Sequence, residues 1–131
     1  MKYLLDTNIC VFFLRGKYDI DKKINSVGID NCCLSEITLA ELIYGAYCSK
    51  DPKNNLFQVF QMETLFEIIP ISECLETYAK DKHYLRLKGL PIDDFDLLIG
   101  ATAKKYNLRL VTDNLKHFER LNLQIENWIT R

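Results

Sequence analysis

Short apolar runs alternate along this chain with longer segments in which apolar residues recur at helical spacing. The runs predict buried strands over Tyr3–Asp6, Cys32–Ser35, Glu67–Ile69, Arg109–Val111 and Gln124–Glu126. The segments between them predict helices from Thr7 or Asn8 to about Arg15, Ile20 to Val27, Thr38 onward, Asn55 to about Leu65, Ser72 to Lys88, and Asp93 or Asp94 to Tyr106. With right-handed crossovers, this alternation predicts a three-layer α/β/α sandwich with a mostly parallel central sheet.

Three of these helices carry expectations about burial and capping. The helix from Thr38 has an apolar face of Leu39, Leu42, Ile43 and Ala46, and Thr38 with Glu41 fits a capping box. The long helix from Ser72 is expected to turn inward the apolar residues Leu75, Tyr78, Ala79 and Leu85. The helix that precedes Tyr106 is apolar nearly all round, so we expect it at the centre of the fold.

The composition indicates one globular domain of residues 1–131. Hydrophobic residues make up 48% of the chain, and no apolar run approaches the roughly 20 residues that span a bilayer. Asp6 interrupts the first apolar run, so a secretory signal peptide is not expected. The five cysteines are odd in number and include no Cys-x-x-Cys pair. They predict reduced, mostly buried thiols in a cytoplasmic protein rather than a disulfide or zinc framework.

The net charge of −1 argues against a protein that binds nucleic acid through bulk electrostatics. Such proteins are normally basic, because the partner is a polyanion. Divalent cations held by an acidic site would reverse the local charge where a phosphate would lie. The charge therefore weakens the nucleic-acid hypothesis without excluding it.

Four carboxylates lie at the edges of the predicted apolar elements: Asp6, Glu41, Asp96 and Asp113. Asp6 and Asp113 each follow a strand, and they meet at one sheet edge if the first and fourth strands are neighbours. Carboxylate oxygens are the ligands that hard divalent cations prefer. Such cations can activate water for attack on a phosphodiester.

Each acid also has an ordinary structural interpretation. Asp6 can cap the following helix, Glu41 can complete the capping box, and Asp113 fits a turn. Asp96 lies with Asp93 and Asp94 at a helix start, where acids suit the helix dipole. No single acid is decisive, so a metal site is indicated only by the four acids together.

A series of short motifs runs through nearly the whole chain. In order they are Leu4-Leu5-Asp6-Thr7-Asn8, Ser35-x-x-Thr38-x-x-Glu41-Leu42-x-x-Gly45, Pro91-Ile92, Asp96-x-Leu98-Ile99-Gly100-Ala101, Leu110-Val111-Thr112-Asp113-Asn114, Phe118-Glu119-Arg120 and Glu126-Asn127-Trp128. With these motifs the chain resembles the PIN-domain ribonucleases, and within them the VapC toxins of toxin–antitoxin pairs. The resemblance implies an endoribonuclease that depends on Mg²⁺ or Mn²⁺.

By the same resemblance, Asp6, Glu41 and Asp96 are the three core metal-binding acids. Either Asp113 or Asn114 completes the site, and Thr7, Asn8 and Thr112 orient the acids. No His or Lys general base is required, and none is expected beside these motifs. Gly100 stands where alanine is commoner in the family, which implies slightly looser packing.

The implied partners are an RNA substrate, a cognate VapB-like antitoxin and a second copy of the chain in a homodimer. An antitoxin segment laid over the active-site groove would place a basic residue among the acids. Four aromatic residues could form such a surface, although helical spacing favours a core position for them: Phe12, Phe13, Tyr44 and Tyr47.

Two other functions are compatible with parts of this pattern. Asp6 in Asp-x-Asn resembles the nucleophile of haloacid-dehalogenase-like phosphatases, but those enzymes carry Asp-x-Asp, and no suitably placed lysine follows. A PIN-like module that binds RNA or protein without cleaving it is the remaining alternative.

Overall fold

Five parallel strands form the central sheet within residues 2–131. The computed structural model describes residues 2–131. Its strands are β1 (Tyr3–Leu5), β2 (Cys32–Ser35), β3 (Glu67–Ile69), β4 (Arg109–Val111) and β5 (Ile125–Glu126). Its helices are α1 (Thr7–Leu14), α2 (Ile20–Val27), α3 (Glu36–Tyr47), α4 (Pro52–Leu65), α5 (Leu75–Leu87), α6 (Asp94–Lys105) and α7 (Leu115–Phe118), with 3₁₀ turns at Ile29–Asn31 and Ser72–Cys74. The predicted α/β/α sandwich is confirmed.

The strand order is β3-β2-β1-β4-β5, with every pairing parallel. The chain builds outward from β1 to β3 and then returns to the other side of β1, so the winding reverses between β1 and β4. In open α/β sheets this reversal opens a crevice at the carboxyl ends of the strands. Leu5 pairs with Val111 there, and the Asp6 amide extends the ladder by donating to Val111 O at 2.9 Å.

Alternation along the strands gives the sheet a hydrophobic core on each face. Leu5, Leu34 and Val111 pack with residues of α1, α2, α3 and α4. Leu4, Cys33 and Leu110 pack on the opposite side, mainly with α5, α6 and α7. Helix α6 is buried along most of its length, as its apolar composition predicted, and its buried residues are Leu97, Ile99, Gly100, Ala101, Thr102 and Ala103.

Several predicted helix starts were wrong, and each error has a local cause. Helix α3 begins at Glu36, because the Ser35 side chain caps it by accepting from the Ile37 amide at 3.1 Å. The Thr38 capping box is therefore absent. Helix α4 begins earlier than predicted, at Pro52, since Asp51 caps it and proline suits the first helical turn.

The predicted helix from Ser72 to Lys88 is divided into a 3₁₀ turn and α5. The division rotates the first residues of α5, so Leu75 is 52% exposed rather than buried, and Ala79 is also exposed. Leu85 is buried and Tyr78 partly buried, as predicted. The core position favoured for Tyr44 and Tyr47 was also wrong, since both are exposed on α3.

Gly100 is a close-packed position rather than a loose one, which corrects the expectation from the resemblance. A Cβ atom added there would lie 2.7 Å from Leu121 Cδ1 and 3.7 Å from Phe118 Cδ1. The absence of a side chain therefore allows the segment around α7 to approach α6 closely.

The cysteines are all free thiols, as predicted, and four of the five are buried, with Cys48 exposed. Burial raises the pKa of the Cys33 thiol to about 12, so this thiol stays protonated near neutral pH. No helix within residues 2–131 has the length and apolar character needed to cross a membrane.

Candidate active site

Asp6 is the most deeply buried acid of the predicted set, at 5% exposure. It directly follows β1, and its extended backbone makes it the N-cap of α1. One carboxylate oxygen accepts from the Thr7 amide at 2.8 Å, and the other accepts from the Thr112 hydroxyl at 2.7 Å. Asp6 therefore caps the helix, as its structural interpretation predicted, and is also fixed by the neighbouring strand end.

Glu41 projects from the second turn of α3 toward the start of α1. The Thr7 hydroxyl donates to Glu41 Oε1 at 2.6 Å, and the Thr38 hydroxyl lies 3.1 Å from the same Thr7 oxygen. Thr38 is fully buried, so this threonine pair ties α3 to α1. Thr7 thus contacts one of the predicted acids, and its role in orienting a metal ligand stays a prediction.

The three acids at the start of α6 have three different environments. Asp93 caps the helix by accepting from the Phe95 amide at 3.2 Å. Asp94 accepts from the Tyr78 hydroxyl at 2.9 Å and from Lys82 at 2.8 Å. Asp96 also lies in the first turn of α6, with 23% of its side chain exposed, and its charge raises the pKa of both Asp6 and Glu41.

Asp113 turns away from this cluster, although β1 and β4 are neighbours as the prediction required. The Arg131 guanidinium donates to both Asp113 oxygens, at 3.0 and 2.7 Å, and the Asn127 amide donates to one of them at 3.3 Å. Arg131 lowers the pKa of Asp113 through this hydrogen-bonded pair. The charge of the Asp113 carboxylate is thus already neutralised by Arg131, the last residue of the chain.

Asn114 contacts Thr112 and His117 instead. Its backbone amide donates to the Thr112 hydroxyl oxygen at 2.9 Å, and its side-chain amide nitrogen lies 2.7 Å from His117 Nδ1. The same ring nitrogen is 3.4 Å from Asp96 Oδ2. Of the two alternatives for the fourth position, these contacts favour Asn114 over Asp113.

His117 is the residue that the sequence interpretation missed, since no histidine was expected beside the motifs. It follows Asn114 by three residues in the short helix α7. Residues at that spacing share one side of a helical turn, and this spacing was the signal available in the sequence. Asn8, predicted to orient an acid, lies in the first turn of α1, and its amide oxygen is buried without a hydrogen-bond partner among residues 2–131.

The electrostatics of the three acids reflect their burial and their mutual repulsion. Burial raises the pKa of Asp6 to about 6; the bonds from Thr112 and Thr7 oppose the rise, and the charges of Asp96 and Glu41 add to it. Burial also raises the pKa of Glu41, against the bond from Thr7, and Asp96 contributes further. Burial raises the pKa of Asp96 too, and the charge of Asp93 adds to the rise.

No lysine or arginine within residues 2–131 forms an ion pair with Asp6, Glu41 or Asp96. The described residues also contain no group of three His, Cys, Asp or Glu side chains close enough to enclose a metal ion. The acids are thus neighbours that do not form a closed ligand shell. An all-oxygen donor set that lacks a protein counter-charge suits a hard divalent cation such as Mg²⁺ or Mn²⁺.

A groove of about 180 Å³ opens beside the cluster, between α1, α3 and α4. Val11, Leu14, Leu42 and Val59 contribute apolar walls, and Arg15 and Glu41 also line it. The groove therefore joins an apolar surface to one of the three acids.

Sequence comparison identifies related proteins over nearly the whole chain. The PIN domain family model matches residues 3–122. A "Ribonuclease VapC2" of Rickettsia felis is 38% identical over 137 residues, which cover 98% of both proteins. A "tRNA(fMet)-specific endonuclease VapC" of Shigella flexneri is 32% identical over 130 residues, again covering 98% of both.

Solved structures show the same similarity. The toxin–antitoxin complex VapBC2 from Rickettsia felis, bound to a DNA fragment from its promoter, contains a chain with a TM-score of 0.90 and 37% identity, covering 98% of this chain and 99% of that one. The DNA-bound VapBC complex from Salmonella typhimurium contains one with a TM-score of 0.91 and 34% identity, covering 98% of each chain.

Proposed function

This chain belongs to the PIN-domain family, among its VapC-type ribonucleases, and we propose that it cleaves RNA with Mg²⁺ or Mn²⁺ held by Asp6, Glu41 and Asp96. Asn114 supplies a fourth oxygen in this proposal. Asp113, the other residue considered for that position, remains with Arg131.

One observation supports the proposal most strongly. Three carboxylates from three separate elements raise one another's pKa near the reversal point of the sheet, and no lysine or arginine of residues 2–131 forms an ion pair with them. Their negative charges repel the anionic phosphodiester as well as one another. A divalent cation removes both repulsions, so the same acids that exclude RNA from the free protein attract it once the cation is bound.

The residues around the acids hold them ready for this role. Thr112 and the Thr7 amide fix the two oxygens of Asp6, and the Thr7 hydroxyl fixes Glu41. When bound, the cation would lower the pKa of a coordinated water and stabilise charge on the leaving oxygen. No protein nucleophile is needed, and Asp6 has its oxygens engaged by hydrogen bonds on both sides.

The proposed protein partner is a VapB-like antitoxin that lies over the groove beside Glu41. Its apolar side chains would contact Val11, Leu14 and Leu42, and a basic side chain would neutralise the acids in place of the cation. The similar chains from Rickettsia felis and Salmonella typhimurium come from VapBC complexes, which supports a VapB-like partner. A homodimer remains part of the proposal, with the exposed Tyr44 and Tyr47 as available apolar surface.

Purified chain, freed of antitoxin, would be incubated with total RNA and separately with tRNA(fMet), the substrate named for the Shigella relative. Reactions would contain Mg²⁺, Mn²⁺ or EDTA. Asp96→Asn is the test variant, and Asp94→Asn is its matched control, because both acids lie in the first turn of α6 and Asp94 is bound by Lys82.

We expect cleavage that requires the cation, survives Asp94→Asn and is lost in Asp96→Asn. Cleavage by Asp96→Asn at the wild-type rate would refute the site. RNA binding without cleavage by the wild type, in every metal, would instead identify a silent PIN-like binding module.

A further inference from the structure

His117 lies where two side chains of the candidate site meet a single ring nitrogen. The Asn114 amide nitrogen is 2.7 Å from His117 Nδ1, and Asp96 Oδ2 is 3.4 Å from the same atom. With 45% of its side chain exposed, the ring is not a core residue. Its contacts are therefore with the site rather than with the hydrophobic interior.

Close packing of α7 on α6 brings the ring to this position. Phe118 is fully buried and lies against Gly100, where an added Cβ would be 3.7 Å from Phe118 Cδ1. Asp96 precedes Gly100 by one helical turn and so lies on the same side of α6. Phe118 thus anchors α7 at Gly100, and the preceding residue, His117, reaches Asp96.

One ring nitrogen cannot serve both neighbours at once. A neutral Nδ1 with a lone pair accepts from the Asn114 amide, whereas a protonated Nδ1 donates to a carboxylate. At 2.7 Å the Asn114 contact is a full hydrogen bond, and at 3.4 Å the Asp96 contact is long. The shorter contact indicates the tautomer with its proton on Nε2.

This bond determines which end of the Asn114 amide is free. With its nitrogen held by the ring, the amide leaves its oxygen for another partner. Oxygen is the atom that a hard cation binds, and an amide turned the other way would present N–H groups that repel the cation. The backbone of Asn114 is held independently by Thr112, so only the amide orientation depends on His117.

We propose that His117 is a positioning residue that orients the Asn114 amide, so that its oxygen completes the acidic site as the fourth donor to a divalent cation. This inference rests on the proposed metal-dependent ribonuclease function. It assigns His117 no contact with the RNA and no proton transfer.

Two variants of nearly equal shape isolate the hydrogen-bond acceptor. His117→Asn keeps an amide that can accept near the position of Nδ1, and His117→Leu has a similar shape without an acceptor. Mn²⁺ affinity would be measured by calorimetry for both, alone and combined with Asn114→Ala. We expect His117→Leu to weaken Mn²⁺ binding by about 10- to 100-fold, the usual effect of losing a partner that orients a ligand.

His117→Asn should restore most of that affinity, and His117→Leu should cause no further loss once Asn114 is alanine. Wild-type affinity in His117→Leu would overturn the proposal. An equal loss in the Asn114→Ala background would also overturn it, because His117 would then act on Asp96 or on the fold.

A measurement on the unmodified, metal-free protein provides an independent test. Long-range ¹H–¹⁵N NMR distinguishes the two ring tautomers, and the chain has only two histidines to assign, His83 and His117. The signals lost in His117→Asn identify the ring. We expect the tautomer with its proton on Nε2, and a tautomer with its proton on Nδ1 would contradict the proposed bond.

Failure of this inference is distinguishable from failure of the proposed function. If the wild type neither binds Mn²⁺ nor cleaves RNA, the ribonuclease proposal falls and the inference falls with it. If the wild type does both, and His117→Leu matches it in Mn²⁺ affinity and cleavage rate, only the role of His117 is refuted.

Discussion

The Thr112 hydroxyl donates a hydrogen bond of 2.7 Å to Asp6, from a position 106 residues further along the chain. Thr112 follows β4 as Asp6 follows β1, and both side chains are buried. The bond therefore joins the two strands that flank the reversal point of the sheet. Burial disfavours the ionised form of Asp6, and the bond from Thr112 partly offsets that effect.

Loss of this bond should lower stability near neutral pH. Thr112→Val keeps the shape of the side chain but leaves a buried Asp6 oxygen without its donor, which costs about 1–3 kcal/mol. Chemical denaturation monitored by circular dichroism measures the change. Thr102→Val is the matched control, because Thr102 is equally buried but donates to Leu98 O within its own helix. Equal losses in the two variants would contradict a specific role for the Thr112 bond.

Alanine substitutions should show whether Asp113 or Asn114 is the fourth metal ligand, because they should affect RNA cleavage differently. Asp113→Ala removes an acid that is already paired with Arg131, so we expect RNA cleavage within about 3-fold of wild type, far from the roughly 10- to 100-fold typical of a lost ligand-orienting partner. Asn114→Ala removes the amide beside His117 and should reduce cleavage at limiting Mn²⁺, with partial recovery at higher Mn²⁺. The opposite ranking of the two rates would assign the fourth position to Asp113.

The raised pKa of Asp6 predicts a pH-dependent stability of the metal-free protein. Its pKa is about 6 in the fold, against an ordinary value of 3.8, so the folded state binds the proton more tightly than the unfolded chain does. The stability that the protonated Asp6 carboxyl contributes is fully present below about pH 4 and is lost as the pH rises through about 6. Asp6→Asn removes this dependence, because its amide stays uncharged.

In EDTA, the free energy of unfolding of Asp6→Asn should therefore rise relative to that of the wild type as the pH increases from about 4 to 7. The shift between the two pKa values corresponds to a relative gain of at most about 3 kcal/mol. Thermal unfolding of both proteins across this range provides the test. A difference that stays constant with pH would show that Asp6 titrates normally in the fold.

Alanine substitution of two helical glycines, the exposed Gly45 and the buried Gly100, should change the free energy of unfolding in opposite directions. Gly45 has open space around it on α3, so Gly45→Ala should stabilise the protein by about 0.5–1 kcal/mol. Gly100→Ala gains the same helix propensity but drives a Cβ against Leu121, which costs about 1–3 kcal/mol. Denaturant midpoints would measure both changes. Stabilisation by Gly100→Ala would contradict this expectation and show that the Leu121 side chain moves aside at little cost.

Local sequence signals were sufficient for most of the sheet. The segments around β1, β2 and β4 are apolar and bounded by polar residues, so their positions were predictable. The placement of Asp6 beside β4 was predicted only on the condition that the first and fourth strands are neighbours, and the structure meets that condition. Ser35 took the capping role expected of Thr38 because both can cap, and the choice depends on where β2 ends.

The site was less predictable because it depends on side-chain direction. Asp113 and Asn114 are adjacent in sequence, and only the position of Arg131 shows which of them turns away from the acids. His117 reaches Asp96 because Gly100 permits close approach of α7, and a single glycine does not reveal its neighbours. Tyr44 and Tyr47 occupy positions with helical spacing, yet they are exposed.

Direct measurement of Mn²⁺ binding tests the central claim most simply. Electron paramagnetic resonance would follow the free-ion signal as Mn²⁺ is added to the wild type, to Asp96→Asn and to Asp94→Asn. We expect saturable binding by the wild type and by Asp94→Asn, and a loss in Asp96→Asn greater than the roughly 100-fold upper range for an orienting partner. Equal binding by all three proteins, or none by the wild type, would contradict a cation site built on Asp6, Glu41 and Asp96.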